Sequence, residues 1–294
     1  MLPLLAGSGP FNLNDVISHH LTDVPLWALH IGGVDMSITK RVVAIWTVSL
    51  LIMLIFIPLA RKISKNPYQR PSRWQGFFES LIQFVRKDVS ESSMGKSSLV
   101  YDPFLLTLFF FILFSNILGL FPPLGELFQF AGESMGLLAV GSHDDSLLLP
   151  LPLKLWPGIT ATGDISVTAA LALYSFIALV AAGFLHQGIA YIKNIVPNGI
   201  PAPLWIIMWP IEFIGQFTKP FALAIRLLAN MTAGHLIILA LMGFIFQFAS
   251  YQVVPASLFA SVAIYMLEIF VAFLQAYIFT FLTALFISSA QHRH

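Results

Sequence analysis

Apolar runs alternate with short polar stretches along the whole chain, and the runs differ in length in an informative way. Three of them, over 42–60, 104–121 and 165–192, are of the length that one membrane crossing needs, about 20 residues. The first closes on Arg61-Lys62, the second on Pro122-Pro123, and the third just before Lys193. Two later runs, 203–250 and 255–290, are far longer. As an α-helix the 203–250 run would extend roughly 72 Å, against a hydrocarbon core of about 30 Å. It must tilt steeply, bend or divide, and Pro210 and Pro220 are the natural bends, because each removes a backbone donor and crowds the preceding turn. The polar break at Ser250–Pro255 then reverses the chain into the last long helix.

The stretch 72–94 follows a different rule. Trp74, Phe77, Phe78, Leu81, Ile82 and Val85 recur at helical spacing, while Glu79, Gln83, Arg86 and Lys87 fill the opposite face. That pattern predicts an amphipathic helix lying in the membrane interface, not a span. The fold expected is therefore an all-α integral membrane protein. It has about five membrane helices and one interfacial helix, with the last two long helices forming a steeply tilted hairpin. No internal repeat is visible, and residues 1–294 read as a single membrane domain. The leader 1–37 is mixed in polarity. The outer loop 122–164 holds an apolar piece, Leu147–Trp156, broken by Pro150 and Pro152, which reads as surface-lying or re-entrant.

Composition supports the class: 57% of the 294 residues are apolar and only 10% charged, against about 25% charged in ordinary soluble domains. The formal net charge of +1 conceals an asymmetry that sets the orientation. Eight of the 15 Lys/Arg residues lie between Arg61 and Lys96, whereas 122–164 carries Glu126, Glu133, Asp144, Asp145 and Asp164 against Lys154 alone. By the positive-inside rule the basic segment faces the cytoplasm, the N-terminus lies outside and the C-terminus inside; the membrane expected is the bacterial inner membrane, with a mitochondrial or chloroplast membrane as the alternative. The chain starts without a basic n-region, so no cleavable signal peptide is expected. With no cysteine, disulfides, thiolate metal sites and cysteine nucleophiles are excluded. No Gly-rich phosphate loop is present, so nucleotide chemistry is not expected here. Neither a metal nor a cofactor is expected; His19, His20 and His30 read as part of a solvated leader.

Charges inside the last two runs then change the picture. The first of these carries Glu212, Lys219, Arg226 and His235, and the second carries Glu268. An arginine near a bilayer centre costs about 2.5–3.5 kcal/mol on insertion scales, and such residues mark ion or substrate paths. At about 100° per residue, Lys219 lies about 20° from Arg226 around the helix, Glu212 and Asn230 about 40°, and His235 about 180°. Glu268 and Gln275 share a face of the last helix to within about 20°. An antiparallel hairpin brings Glu268 towards His235 and Gln275 towards Arg226. Histidine and glutamate titrate and can relay protons, whereas arginine does not release its proton. Two aqueous half-paths are thus expected, an outer one along His235 and Glu268 and an inner one past Glu212, with Arg226 as a permanent positive barrier. The chain holds no second rank of carboxylates to move, which places the mobile acid on a partner.

Blander readings compete at each position. Arg226 can be one half of a buried ion pair with Glu212 or Glu268, Lys219 can reach an interface along its stem, His235 can be a hydrogen-bonded core histidine, and Gln275 can bond between helices. Two other functional classes carry membrane charges: a stand-alone ion or proton antiporter, and a quinone-associated subunit of a respiratory complex. The first commonly shows repeated halves with broken helices, and the second needs no unpaired arginine beside a small-residue face.

The run Lys219-Pro220-Phe221-Ala222-Leu223-Ala224-Ile225-Arg226-Leu227-Leu228-Ala229-Asn230-Met231-Thr232-Ala233-Gly234-His235 closely resembles the signature of subunit a of F-type ATP synthases. Leu274-Gln275-Ala276-Tyr277-Ile278-Phe279, Asn116-Ile117-Leu118-Gly119-Leu120-Phe121-Pro122 and Thr162-Gly163-Asp164-Ile165-Ser166-Val167-Thr168 extend the resemblance over roughly 40–290. It implies a long tilted hairpin against a rotating ring of c subunits, with b-type peripheral-stalk subunits and membrane lipid as further partners and no nucleic acid or nucleotide. Arg226 matches the family's essential arginine, Asn230 and Gln275 its ring-facing polar residues, and Glu212 an acidic position of the inner half-channel. His235 and Glu268 match the outer pair with the two residue types exchanged relative to many members. Gly119 departs from members that carry aspartate there, so any outer-channel role of that position is absent.

Overall fold

The computed structural model describes residues 25–27, 30–31, 34–35, 37–65, 70–120, 161–196, 201–248 and 253–291. His19 and His20, the Leu147–Trp156 piece and the tail after Gln291 lie outside them. The described chain is almost wholly helical: α1 is Lys40–Lys65, α2 Arg73–Phe84, α3 Ser98–Leu120, α4 Ile165–Gln187, α5 Ala202–Phe248 and α6 Val253–Gln291. Four helices have the length and hydropathy of membrane spans, within Arg41–Lys65, Ser98–Leu120, Ile165–Gln187 and Pro255–Gln291. The all-α membrane class expected from the pattern is the class observed. Ahead of α1, short antiparallel ladders pair Pro25–Trp27 with Ile38–Thr39 and His30–Ile31 with Val34–Asp35, a detail the sequence did not announce.

Helix α3 is the hub. Its fully buried Leu105, Phe109 and Ile112 meet α6 along Ala276, Phe279 and Ile287, and α1 packs on its far side. Helices α4, α5 and α6 contact one another in pairs, so α3–α6 form the packed body and α1 stays peripheral. The peripheral role of α1 follows from its sequence, since Trp46, Leu50, Met53, Leu54 and Ile57 all face outward.

The amphipathic stretch does not continue as one α-helix. α2 ends at Phe84 and passes into a π-helical segment, Val85–Glu91, and then a single turn, Ser92–Met94. Val85 and Val89 are fully buried in the α3–α6 core. The widened turn serves Asp102 on α3, which is only 4% exposed: Ser90 Oγ donates to its Oδ1, and Arg86 Nε pairs with its Oδ2 at 2.8 Å. Periodicity alone could not show this carboxylate reaching back to the amphipathic segment.

At the other end of the bundle Asp164 caps α4, accepting from the Ser166 backbone N–H at 3.0 Å, and its second oxygen takes Arg41 Nη1 at 2.7 Å. One carboxylate thus ties the start of α1 to the start of α4. After α4 the chain turns at Gly188, whose φ of +60° suits glycine, and Tyr191 folds back onto Gly183. A methyl group at position 183 would stand 2.5 Å from the Tyr191 ring.

The long run 203–250 does not divide. α5 is one continuous helix of 47 residues through both Pro210 and Pro220, about 70 Å at the standard rise. α6 adds 39 residues antiparallel to it. Each is about twice as long as a perpendicular crossing needs, so the hairpin must run obliquely to a bilayer or extend beyond it.

Candidate functional site

Two contacts fix the register of the α5–α6 hairpin. Near one end, Glu268 lies over the backbone of Gly234, so closely that a Cβ there would overlap the carboxylate Oε1 and sit 2.7 Å from its Cδ. Near the other, Lys219 Nζ stands 5.3 Å from the Phe286 ring centre, a cation–π contact. Interpolating between them puts Arg226 at about the height of Tyr277 and Ile278, with Gln275 roughly one turn away along the axis.

Around Arg226, helix α5 buries one narrow apolar face and carries its functional candidates off that face, while Phe221 and Ile225 are exposed beside them. Leu223, Ala224, Leu227 and Met231 are buried, whereas Arg226 is exposed in company with Ala222, Ala229 and Ala233. Those alanines sit four before, three after and seven after Arg226, which places them on its face. Lys219, Glu212 and Asn230 are half-buried along the same side. Among the described residues Arg226 has no ion-pair or hydrogen-bond partner, and neither Glu212 nor Glu268 pairs with it. His235 follows Gly234 on α5, and its side chain lies outside the described residues.

Helix α6 contributes a line of polar atoms without partners. Ser261 Oγ, Glu268 Oε2 and Gln275 Nε2 are each buried and unbonded. They recur every seven residues, so they drift only about 20° per step and lie about 10 Å apart along one face. A second group of orphans, Gln216 Oε1 on α5 and both side-chain polar atoms of Gln291 on α6, lies at the other end of the hairpin. The register sets Gln291 close to Gln216, on the far side of Arg226 from Glu268. Buried polar groups are nearly always satisfied, so six lone atoms in two groups are a marked concentration. Glu268 and Gln275 were legible in the sequence; Ser261, Gln216 and Gln291 were not. The heptad spacing of Ser261, Glu268 and Gln275 was the signal available for the first of these.

A wall of α3 completes the Glu268 side. Asn116, fully buried, donates from Nδ2 to the Ala272 carbonyl at 3.4 Å and accepts from Thr162 Oγ1 at 2.7 Å, while Tyr265 donates to the Leu120 carbonyl at 3.1 Å. These bonds use the residues on either side of Glu268 on α6 and hold that helix in rotation.

Residues 42–288 match the family model described as ATP synthase A chain. The chain belongs to the ATP synthase subunit a family. It is 40% identical over 98% of its length to ATP synthase subunit a of Chlorobium phaeobacteroides, covering 79% of that protein. It is likewise 40% identical over 91% of its length to the subunit a of Chloroherpeton thalassium, covering 70% of it. ATP synthase subunit a 2 of Chlorobaculum tepidum is 40% identical over 94% of the chain, with 72% of that protein covered. These relatives are bacterial, and with four apolar helices of spanning length this member of the subunit a family is an integral membrane protein.

Proposed function

We propose that this chain is the proton-translocating stator subunit of an F-type ATP synthase, with Arg226 set between two offset half-channels against a rotating c-subunit ring. The observation that carries the reading is Arg226 itself: an exposed guanidinium, unpaired among the described residues, midway along an apolar hairpin and flanked by Ala222, Ala229 and Ala233. Left against lipid it would be among the most costly side chains in the membrane. A carboxylate supplied by a neighbouring helix removes that cost, and alanines let such a helix approach closely.

The two groups of unbonded polar atoms give the half-channels their chemistry. The outer path runs along Ser261, Glu268 and Gln275 with His235 on the facing helix; the inner one passes Gln216, Gln291 and Glu212. Water satisfies orphaned polar groups and would carry protons to within reach of the ring. A proton entering from outside passes to His235 and Glu268 and then to a ring carboxylate, which becomes neutral and can move into lipid. After nearly a full rotation the carboxylate releases its proton past Glu212. Arg226 attracts the ionised carboxylate and repels free protons, which prevents a direct leak between the paths. Asn230 and Gln275 flank the exchange as neutral hydrogen-bonding groups. Each charge carried gains about 2.3 kcal/mol per 100 mV, which turns the ring.

In this reading the N-terminus is outside, the C-terminus is cytoplasmic, and b-type stalk subunits hold the chain against the torque. ATP chemistry resides in other subunits. Because the chain has no cysteine, single-cysteine variants give a clean test. Ala229→Cys should form a disulfide with a cysteine placed beside the ring carboxylate, whereas Ala224→Cys, on the buried face, should not. Equal or absent cross-linking at both positions in the assembled complex would remove the ring from this face.

A further inference from the structure

Where α1 ends and α2 begins, an open groove of about 260 Å³ is lined by Ile55, Pro58, Leu59, Lys62, Trp74 and Phe78, with Ser72 and Gln75 at its polar edge. Its residues on α1 recur at helical spacing, so one face of that helix forms an apolar wall closed by a single ammonium group. The surroundings are strongly basic. Arg61, Lys65, Arg70 and Arg73 are all exposed, and no acidic residue occurs between Arg61 and Phe78. The carboxylate next in sequence, Glu79, accepts from Gln75 Nε2 at 2.8 Å. Trp74 is 77% exposed at the mouth, an amphipathic ring of the type that settles at headgroup level. Helix α1 is also little covered, with 11% of its apolar window buried, close to the 12% of α6 and well below the 56% of α3.

We infer that this groove is a binding site for one anionic phospholipid. Its phosphate meets Lys62, with Arg61 and Arg73 adding positive potential at the rim, and an acyl chain lies against Ile55, Pro58, Leu59 and Phe78. The pairing of the two halves selects the occupant. A free phosphate uses the charges and leaves the apolar wall wet, and a neutral lipid covers the wall and leaves five cations without counter-charge. Basic residues beside a span gain about fivefold in affinity for an anionic surface per residue. The lipid would seal the junction of α1 and α2 at the membrane edge. The inference requires α1 to cross the bilayer and does not depend on the ring contact.

The test uses the purified complex containing the full chain, reconstituted in nanodiscs of equal parts phosphatidylglycerol and phosphatidylcholine. Photoactivatable analogues of each lipid are added in turn, and the labelled peptides are identified by mass spectrometry. Labelling within 55–78 should favour the phosphatidylglycerol probe at least about fivefold, fall about fivefold in Lys62→Gln, and return in Lys62→Arg. Adding inorganic phosphate should not displace the probe. Equal labelling by the two lipids, a preference that survives Lys62→Gln together with Arg73→Gln, or displacement by phosphate would overturn the inference. So would a photoreactive residue at position 74 that captures a protein chain in place of lipid.

Discussion

Glu268 occupies the volume that any side chain at position 234 would need, so the carboxylate and Gly234 form one unit across the α5–α6 hairpin. Glycine in a helix interior is ordinarily unfavourable by about 1 kcal/mol relative to alanine. Here its absence of a side chain lets a carboxyl group rest on the facing helix, one residue before His235. Gly234→Ala should therefore improve local helix propensity while displacing Glu268. A misplacement of about 1 Å in a proton-transfer pair commonly costs about a hundredfold in rate. Proton flux from the outer side should fall on that scale with assembly intact. Glu268→Asp in the Gly234→Ala background should recover part of it, because the shorter side chain makes room. Flux measured in inverted vesicles, with and without the second change, decides this.

The pairing also bears on the exchanged residue types. Glu268→Gln removes the titrating group and should slow outer proton flow by about a hundredfold, within the usual range of acid–base groups. The reciprocal variant, His235→Glu with Glu268→His, should retain measurable flux. Complete loss in a correctly assembled double variant would mean that the two positions do not act together.

A substitution at Ser261 distinguishes a hydrated path from a dry core. A buried hydroxyl without a partner costs about 1–3 kcal/mol if no water reaches it. In a dry environment Ser261→Ala should raise the melting temperature and leave flux unchanged. With water at Ser261, the change should alter stability by no more than about 0.5 kcal/mol and lower outer flux severalfold. Parallel thermal-shift and flux measurements distinguish the two.

Asp164 should act on stability, not on transport. Asp164→Ala removes both the cap of α4, worth about 0.5–2 kcal/mol, and the carboxylate bonded to Arg41, whose side chain is 13% exposed. Asp164→Asn keeps the cap and loses the charge, so its melting temperature should fall between those of Asp164→Ala and the unaltered chain. Equal loss of stability in Asp164→Asn and Asp164→Ala would assign the effect to charge alone.

Much of this architecture was legible because membranes constrain sequence so strongly. The 203–250 run was too long for one perpendicular crossing, and α5 indeed continues unbroken through Pro210 and Pro220. The positions of Arg226 and Glu268 were conspicuous because charges are rare in such surroundings. What periodicity could not supply were contacts between elements far apart in sequence. The Arg86–Asp102 pair depends on a π-helical turn that widens the spacing, and the Arg41–Asp164 pair spans 123 positions. Gln216 and Gln291 are uncharged and far apart in sequence, and only the hairpin register brings them to one level. The short ladders before α1 are only two or three residues per strand, too brief for an alternating pattern to show.

ATP-driven proton pumping in assembled complexes carrying Arg226→Ala, measured together with passive proton leak through the same membranes, tests the Arg226 barrier. Pumping and coupled synthesis should both be lost. Normal pumping with Arg226→Ala, at an unchanged leak, would contradict a fixed positive barrier between two half-channels.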